Sequence, residues 1–260
     1  MKYYFISDVH GEFNRMAEAL RDAGFNPSKD TIVSLGDPFD RGDKSYEVLQ
    51  FLMSCPNRIL VWGNHDMRLK KLITGNEHVA SNDYHNGVLQ TMQSLCRNTN
   101  IKDIKLGITL LKTDSDNEMR YRLLWKYFSE CVWAVEFDNL IGTHGWLPVQ
   151  YDLNAGIYNY SVVENWREAD ADLWYNASWA KTVDMVKSKA FADKKLIVGH
   201  WHAWRLRYRS AAKAPDKFDF STYEEDNFIA IDGCTGAAEG VVNVYVYETD
   251  VEPIMYNPRY

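Results

Sequence analysis

The chain has 260 residues, 46% hydrophobic and 25% charged, with 15 glycines and 7 prolines. That length suits a single domain with a sizeable core, residues 1–260, and the composition excludes collagen-like and disordered classes. A formal net charge of −7 argues against broad attraction to nucleic acid or to an anionic membrane, so any phosphate site must make its positive field locally.

The opening stretch MKYYFISDVH turns polar too early for a signal peptide, and no later run approaches the roughly 20 apolar residues of a membrane span. The expected location is therefore cytoplasmic, with no membrane partner. Cys55, Cys96, Cys131 and Cys234 show no CxxC pairing. Reduced, mostly buried cysteines are expected rather than a disulfide framework or a thiolate zinc site.

YYFIS (Tyr3 to Ser7) reads as a buried strand, and Phe13, Met16, Ala17 and Leu20 then recur at helical spacing before Gly24. The pattern repeats with strand TIVSL, turn GDPFDRGD and a helix over Ser45 to Met53. It repeats again with strand RILVW, turn GNHD and a helix from about Met67. Serial βα units predict an α/β sheet with its ligand site beyond the carboxyl ends of the strands. From Gly75 to Glu130 the periodicity is helical, predicting an insertion over residues 75–130. CVWAVEFDNLIGTHG predicts a hairpin turning at Asp138 and Asn139. A helix-rich stretch over Val162 to Ala192 follows, then strand KLIVG, a polar loop over about Arg205 to Asp226, and strands FIAID and VVNVYVYE.

Polar residues gather where these strands end: Asp8 and His10, then Asp37, Asp40 and Arg41, then Asn64, His65 and Asp66, then His144, then His200 and His202. In an extended segment residues i and i+2 face the same way, so Asp8 and His10 are expected to reach one ion together. Oxygen and imidazole donors without thiolate suit manganese, iron, zinc, cobalt or nickel. A shared carboxylate can bridge two such ions at about 3.5–4 Å, a separation that activates water and clamps a phosphoryl group.

In this order, DVHG, GDPFDRG, GNHD, THGWLP and GHWH resemble the calcineurin-like metallophosphoesterase superfamily. The DRG ending is similar to the phosphoprotein phosphatases that act on serine and threonine, and GNHDMRL resembles bacterial symmetrical diadenosine tetraphosphatases. The resemblance implies a four-layer α/β/β/α sandwich with two divalent metal ions, manganese first among them. It implies Asp8 and His10 on the first ion, Asp37 bridging, and Asn64, His144 and His200 on the second. His65 would be the general acid, oriented by Asp40. Arg41 would grip the phosphate beside Asn64 and His65, during in-line attack by a metal-bound hydroxide.

Several residues keep two readings. His202 is either a ligand of the first ion or an imidazole facing substrate, and Asp232 either orients a ligand histidine or serves its own turn. The second phosphate-gripping arginine of the eukaryotic phosphatases has no counterpart between Trp174 and His200. Lys181 and Arg205 are its candidate replacements, against a reading as solvated charges. Asp66 reads as a cap on the following helix. Trp166, Trp174 and Trp179 read as core packing before base stacking, Trp201 and Trp204 flank the GHWH motif, and His78 and His85 read as surface residues.

The expected function is a metal-dependent phosphomonoesterase acting on phosphoserine, phosphothreonine or small phosphoesters. The alternative is a dinucleoside polyphosphate hydrolase. Behind these stand a phosphodiesterase and a non-catalytic scaffold for a phosphorylated partner, which would lack the acid or a metal ligand.

Overall fold

In β1 (Lys2–Ile6) the side chains of Tyr3 and Phe5 join one hydrophobic cluster and those of Tyr4 and Ile6 another, and all four are buried. A strand apolar on both faces needs a layer on each. The computed structural model, which describes residues 1–152, 159–211 and 215–257, supplies both layers.

After β1 come α1 (Phe13–Asp22), β2 (Thr31–Ser34), α2 (Ser45–Ser54), β3 (Arg58–Val61) and α3 (Asn64–Thr74). Four helices follow: α4 (Ser81–Asn86), α5 (Val88–Leu95), α6 (Ile104–Thr113) and α7 (Glu118–Glu130). Then come β4 (Cys131–Val132), β5 (Ala134–Glu136), β6 (Leu140–Thr143), the hairpin of β7 (Val149–Tyr151) and β8 (Tyr160–Val162), α8 (Ala171–Ser178) and α9 (Thr182–Ser188). The chain continues through β9 (Lys195–Val198), α10 (Ala203–Arg207), β10 (Tyr223–Glu224), β11 (Phe228–Ala230), β12 (Tyr245–Glu248) and β13 (Ile254–Tyr256).

Two mixed sheets result. The first has the order β12–β1–β2–β3–β4, with β1 to β4 parallel and β12 antiparallel at the edge. The second has the order β10–β11–β9–β6–β5–β13, in which β11, β9 and β6 are parallel. Tyr3, Phe5, Val33 and Val61 of the first sheet pack with Val135, Ile197 and Ile229 of the second, making the core between them. A side chain at Gly142 would meet Val135, Leu35 and Phe5, so this glycine lets the two sheets pack closely. Outward-facing Tyr4, Ile6, Leu196 and Val198 join helix residues such as Met16, Leu49, Trp174 and Met185 in the larger cluster.

Four boundaries differ from the sequence reading. The helix expected from Met67 starts at Asn64, because Asp66 reaches back to accept the Gly63 N–H at 2.9 Å and closes the first turn. The stretch CVWAVE is split: β4 belongs to the first sheet and β5 to the second, and the chain crosses at Trp133, whose N–H donates to the Tyr256 carbonyl. The strand VVNVYVYE begins only at Tyr245, since Val241 N–H donates to the Gly233 carbonyl and the Asn243 amide to the carbonyls of Phe220 and Ile231. The loop expected over Arg205 to Asp226 contains the end of α10 and all of β10; residues 212–214 of it lie outside the described residues.

Trp166 and Trp174 are core residues, but Trp179 is 44% exposed and leaves that set. His78 and His85 are exposed. Among the described residues no helix is long and apolar enough to cross a membrane, and all four cysteines are free.

Candidate active site

Parallel pairing of β1, β2 and β3 in one sheet, and of β6 and β9 in the other, sets five carboxyl ends side by side. Asp8 and His10 follow β1, Asp37 and Asp40 follow β2, Asn64 and His65 follow β3, His144 follows β6 and His200 follows β9. All are buried except His200, which is partly covered.

The turns are strained. Asp8, His10, Asp37, Asp40, Arg41 and His200 have φ of 51°, 49°, 54°, 71°, 64° and 60°. That left-handed region costs a non-glycine residue about 1–2 kcal/mol. The extended geometry expected for Asp8 and His10 is therefore replaced by two kinks. Ladder-like bonds hold them: Asp8 N–H to the Gly36 carbonyl at 3.1 Å, and His10 N–H to the Asp37 carbonyl at 3.0 Å. The kinks still bring Asp8 Oδ1 within 3.8 Å of His10 Nε2.

Two groups of donor atoms form, each with all its atoms within 4.8 Å of one another: His10, Asp37 and His65, and Asp37, His144 and His200. Asp37 is common to both. Asn64 Oδ1 lies 2.7 Å from His144 Nε2, which is itself 3.3 Å from Asp37 Oδ2. His10 donates through Nδ1 to the Phe39 carbonyl at 2.8 Å, and His144 through Nδ1 to the Leu35 carbonyl at 2.7 Å. Both Nε2 atoms are thereby turned inward. Asp8 is held through Oδ2 by the Ser7 hydroxyl at 2.5 Å and the His200 N–H at 2.9 Å, which leaves Oδ1 for the centre.

Charge inside this dry cluster is compensated by protons. Burial pushes the Asp8 carboxyl up, with the His144 imidazolium only partly offsetting it. Burial acts on Asp37 in the same sense, but His144 and His65 outweigh it and hold that carboxyl well below its usual range. Burial opposes charge on His144, yet Asp37 raises it to about 10. Burial and the neighbouring His144 push His200 down to about 3, so it stays neutral with a lone pair to offer. Carboxylates that draw a proton onto His144, beside neutral imidazoles and an amide oxygen, form a donor set that fits divalent cations, which would take the proton's place.

His65 points Nδ1–H at Asp40 Oδ2 over 2.7 Å, and its Nε2 lies 4.0 Å from Asp37 Oδ2. Burial would lower it, but Asp37 and then Asp40 raise it to about 8. Asp40 is fixed in turn by Thr91 of α5, whose hydroxyl accepts the Asp40 N–H at 2.9 Å and donates to Oδ1 at 3.0 Å. Arg41 is exposed at the rim, its backbone N–H donating to the Asn86 carbonyl at the end of α4. Gly87, at φ 90°, passes so close that a side chain there would collide with the Arg41 backbone. Under the Arg41 side chain lies Gly236, in a loop that Arg15 of α1 grips by the carbonyls of Thr235, Ala237, Ala238 and Gly240.

Sequence reasoning missed Thr91, Ser7 and Arg15, and it read Asp66 only as a cap. Asp66 is fully buried and also accepts the Asp37 N–H at 3.1 Å, and burial and then Asp37 push its carboxyl up to about 8. His202 lies outside both donor groups, with Nε2 3.8 Å from Asp232 Oδ2. Asp232 accepts the Cys234 N–H at 2.8 Å through its other oxygen, so it does serve its own turn.

Aromatic and cationic side chains gather near His200 and the GHWH turn. Trp179 lies 6.2 Å from the His200 ring, Arg205 rests 5.5 Å from Trp201 and 4.7 Å from Trp204, and Lys181 lies 5.9 Å from Trp201.

The family model described as calcineurin-like phosphoesterase matches residues 1–231. A relative named bis(5'-nucleosyl)-tetraphosphatase, symmetrical, from Buchnera aphidicola subsp. Baizongia pistaciae is 35% identical over 92 residues, 35% of this chain and 33% of that protein. The matched stretch thus spans about a third of the relative's length. A solved structure provisionally assigned as a diadenosine tetraphosphatase aligns with 98% of this chain and 93% of its own, at 16% identity and TM-score 0.53. A cold-active protein-tyrosine phosphatase of a psychrophilic Shewanella aligns with 98% of this chain and 80% of its own, at 15% identity and TM-score 0.51. Those two likenesses concern the fold alone.

Proposed function

Because the chain belongs to the family of calcineurin-like phosphoesterases, we propose that it is a hydrolase with two divalent metal ions, acting on a dinucleoside polyphosphate in preference to a phosphoprotein. The observation that carries the substrate is the cluster at the GHWH turn, where Trp179 lies against His200, and Trp201 and Trp204 stand with Arg205 and Lys181. Indole faces suit a base, and cations suit a chain of phosphates. The name of the Buchnera relative supports the same choice.

Asp8, His10 and Asp37 would hold one ion, and Asp37, Asn64, His144 and His200 the other. When bound, the ions supply Lewis acidity at the phosphoryl oxygens and a water of lowered pKa. His65 keeps a proton on Nε2 and delivers it to the leaving oxygen, while Asp40 fixes the ring through Nδ1. Arg41, aimed from its strained turn at the rim, clamps phosphate oxygens with Asn64 and His65. A serine/threonine phosphatase is the second reading, favoured by Arg41 of the DRG turn standing open to solvent, where a bulky phosphoprotein has access.

Turnover of the manganese-loaded protein on diadenosine tetraphosphate, a phosphothreonine peptide and bis-p-nitrophenyl phosphate decides between them. The proposal expects the dinucleotide to be preferred in kcat/KM by at least about 100-fold, against a range of roughly 10⁴–10⁸ M⁻¹s⁻¹ for enzymes in general. Comparable or lower efficiency on the dinucleotide removes it.

A further inference from the structure

In the loop that follows β11, four backbone carbonyls converge on one side chain of α1. Arg15 Nη1 donates to the carbonyls of Thr235 at 3.0 Å, Ala237 at 2.9 Å and Gly240 at 2.6 Å, and Nη2 donates to that of Ala238 at 3.1 Å. Its Nε lies 3.7 Å from Glu12 Oε2, so the guanidinium is also anchored to the start of its own helix. Carbonyl oxygens aimed at one point repel one another unless a cation with several N–H groups stands among them, and arginine brings five in a fixed fork. The loop is closed from within as well, by the Ala237 N–H on the Cys234 carbonyl and the Gly240 N–H on the Ala237 carbonyl.

Arg41 rests on this same loop. A side chain at Gly236 would stand 3.2 Å from Arg41 Cδ and 3.8 Å from Nη1, so the stem of the arginine runs over that glycine. Among the described residues no salt bridge joins the Arg41 guanidinium to a carboxylate. Its direction is left to its pinned backbone and to the surface beneath it. The loop is tied to the metal-binding turn too, because the buried Thr235 hydroxyl donates to the Asp8 carbonyl at 2.6 Å.

We propose that Arg15 is a positioning residue for phosphate binding: by holding residues 235–240 closed, it sets the surface that aims Arg41 at the phosphate. A side chain already aimed loses less freedom when its ligand arrives, which is where the gain in affinity arises. The inference rests on the reading of Arg41 as the phosphate clamp, and it adds a residue that touches neither substrate nor metal.

Calorimetric titration of inorganic phosphate into the manganese-loaded protein reads the clamp without turnover. Arg41→Met should weaken phosphate binding roughly 30-fold, as expected for a charge-assisted bidentate contact. Arg15→Met should weaken it roughly fivefold, and Arg15→Lys, whose three N–H groups can serve three of the carbonyls, by about twofold or less. Gly236→Val, which crowds the Arg41 stem and leaves the carbonyls with Arg15, should also weaken it roughly fivefold. In the Arg41→Met background, Arg15→Met should change the affinity by less than about twofold, because the side chain it positions is gone. If Arg15→Met is unfolded by circular dichroism, Arg15→Gln carries the same cycle. Unchanged phosphate affinity in Arg41→Met overturns the clamp and this inference with it. A normal loss in Arg41→Met, with no loss in folded Arg15→Met, overturns the inference alone. Equal losses from Arg15→Met with and without Arg41 also overturn it, because Arg15 would then act on stability and not through the clamp.

Discussion

Asp40 and His65 are one unit, an imidazole N–H donating to a carboxylate over 2.7 Å in a buried site. Burial alone would lower His65, and it stands at about 8 because Asp37 and then Asp40 raise it. As the proposed general acid, His65 works only while protonated, so turnover should fall as pH rises through its titration. Asp40→Asn removes one of the two carboxylates, and the falling limb of the kcat profile should move to lower pH by roughly one unit. An unmoved limb would assign that titration to another group. His65→Asn should slow a phosphothreonine peptide, with its poor leaving oxygen, by roughly 10²–10⁴-fold, and the dinucleotide much less, which paired kcat measurements check. These residues were legible because each sits beside a glycine or a second polar residue directly after an apolar run, a pattern confined to a few positions. Thr91 was not: it sits inside an amphipathic helix, 51 residues from the Asp40 it fixes, and nothing local marks it. Arg15 meets its carbonyls across 220 residues and more, and reads in sequence as an ordinary charge on α1.

Between elements, the junction of α4 and α5 is what holds the Arg41 turn. Asn86 accepts the Arg41 N–H, and Gly87 follows in the left-handed region against the Arg41 backbone. Gly87→Ala adds both backbone strain and a collision, so a loss of about 2–3 kcal/mol in denaturant unfolding is expected, with a raised KM from the displaced arginine. A KM left unchanged would detach this junction from the site. On the other sheet, Glu136 of β5 is 5% exposed and bonds Arg167 at 2.7 Å, Lys194 at 2.8 Å and the Tyr256 hydroxyl at 2.5 Å. The Arg167 hydrogen bonds lead in holding its carboxyl down to about 2. A depressed folded pKa stabilises above the unfolded value of about 4.3, and that contribution is lost as pH falls toward 2. Allowing for the solvent that reaches Arg167, Glu136→Gln should cost about 2 kcal/mol at pH 7 and little near pH 2, read from urea midpoints. The hairpin at Asp138 and Asn139 was legible, and the Phe137 N–H donates to the Leu140 carbonyl across it. β13 was not, since three residues near the chain's end acquire strand structure only by pairing with β5.

At the scale of the molecule, the donor groups sit where the two sheets meet, drawing His10, Asp37 and His65 from one sheet and His144 and His200 from the other, with Asp8 and Asn64 beside them. The parallel βα units were readable from apolar runs alternating with helical periodicity, whereas the second sheet and the four layers came only from the family resemblance. The crossing at Trp133 was not, because CVWAVE carries no turn residue, and only the partners of β4 and β5 assign its two halves to different sheets. Five buried carboxyls, Asp8, Asp37, Asp40, Asp66 and Asp232, crowd this junction, and burial pushes Asp8, Asp66 and Asp232 up while His144 and His65 keep Asp37 ionised. Cations bound between the sheets would relieve that crowding and tie the layers together, and they have no equivalent site in the unfolded chain. Manganese at about 100 times its Kd then adds about 2.7 kcal/mol. For a chain of this size that raises Tm by roughly 5–10 °C over the chelated protein in differential scanning fluorimetry. Asp37→Asn, which removes the carboxylate common to both groups, should lose most of that shift. A full shift in Asp37→Asn would mean the ions bind elsewhere, and no shift in the unaltered chain would mean that the junction is held by its protons alone.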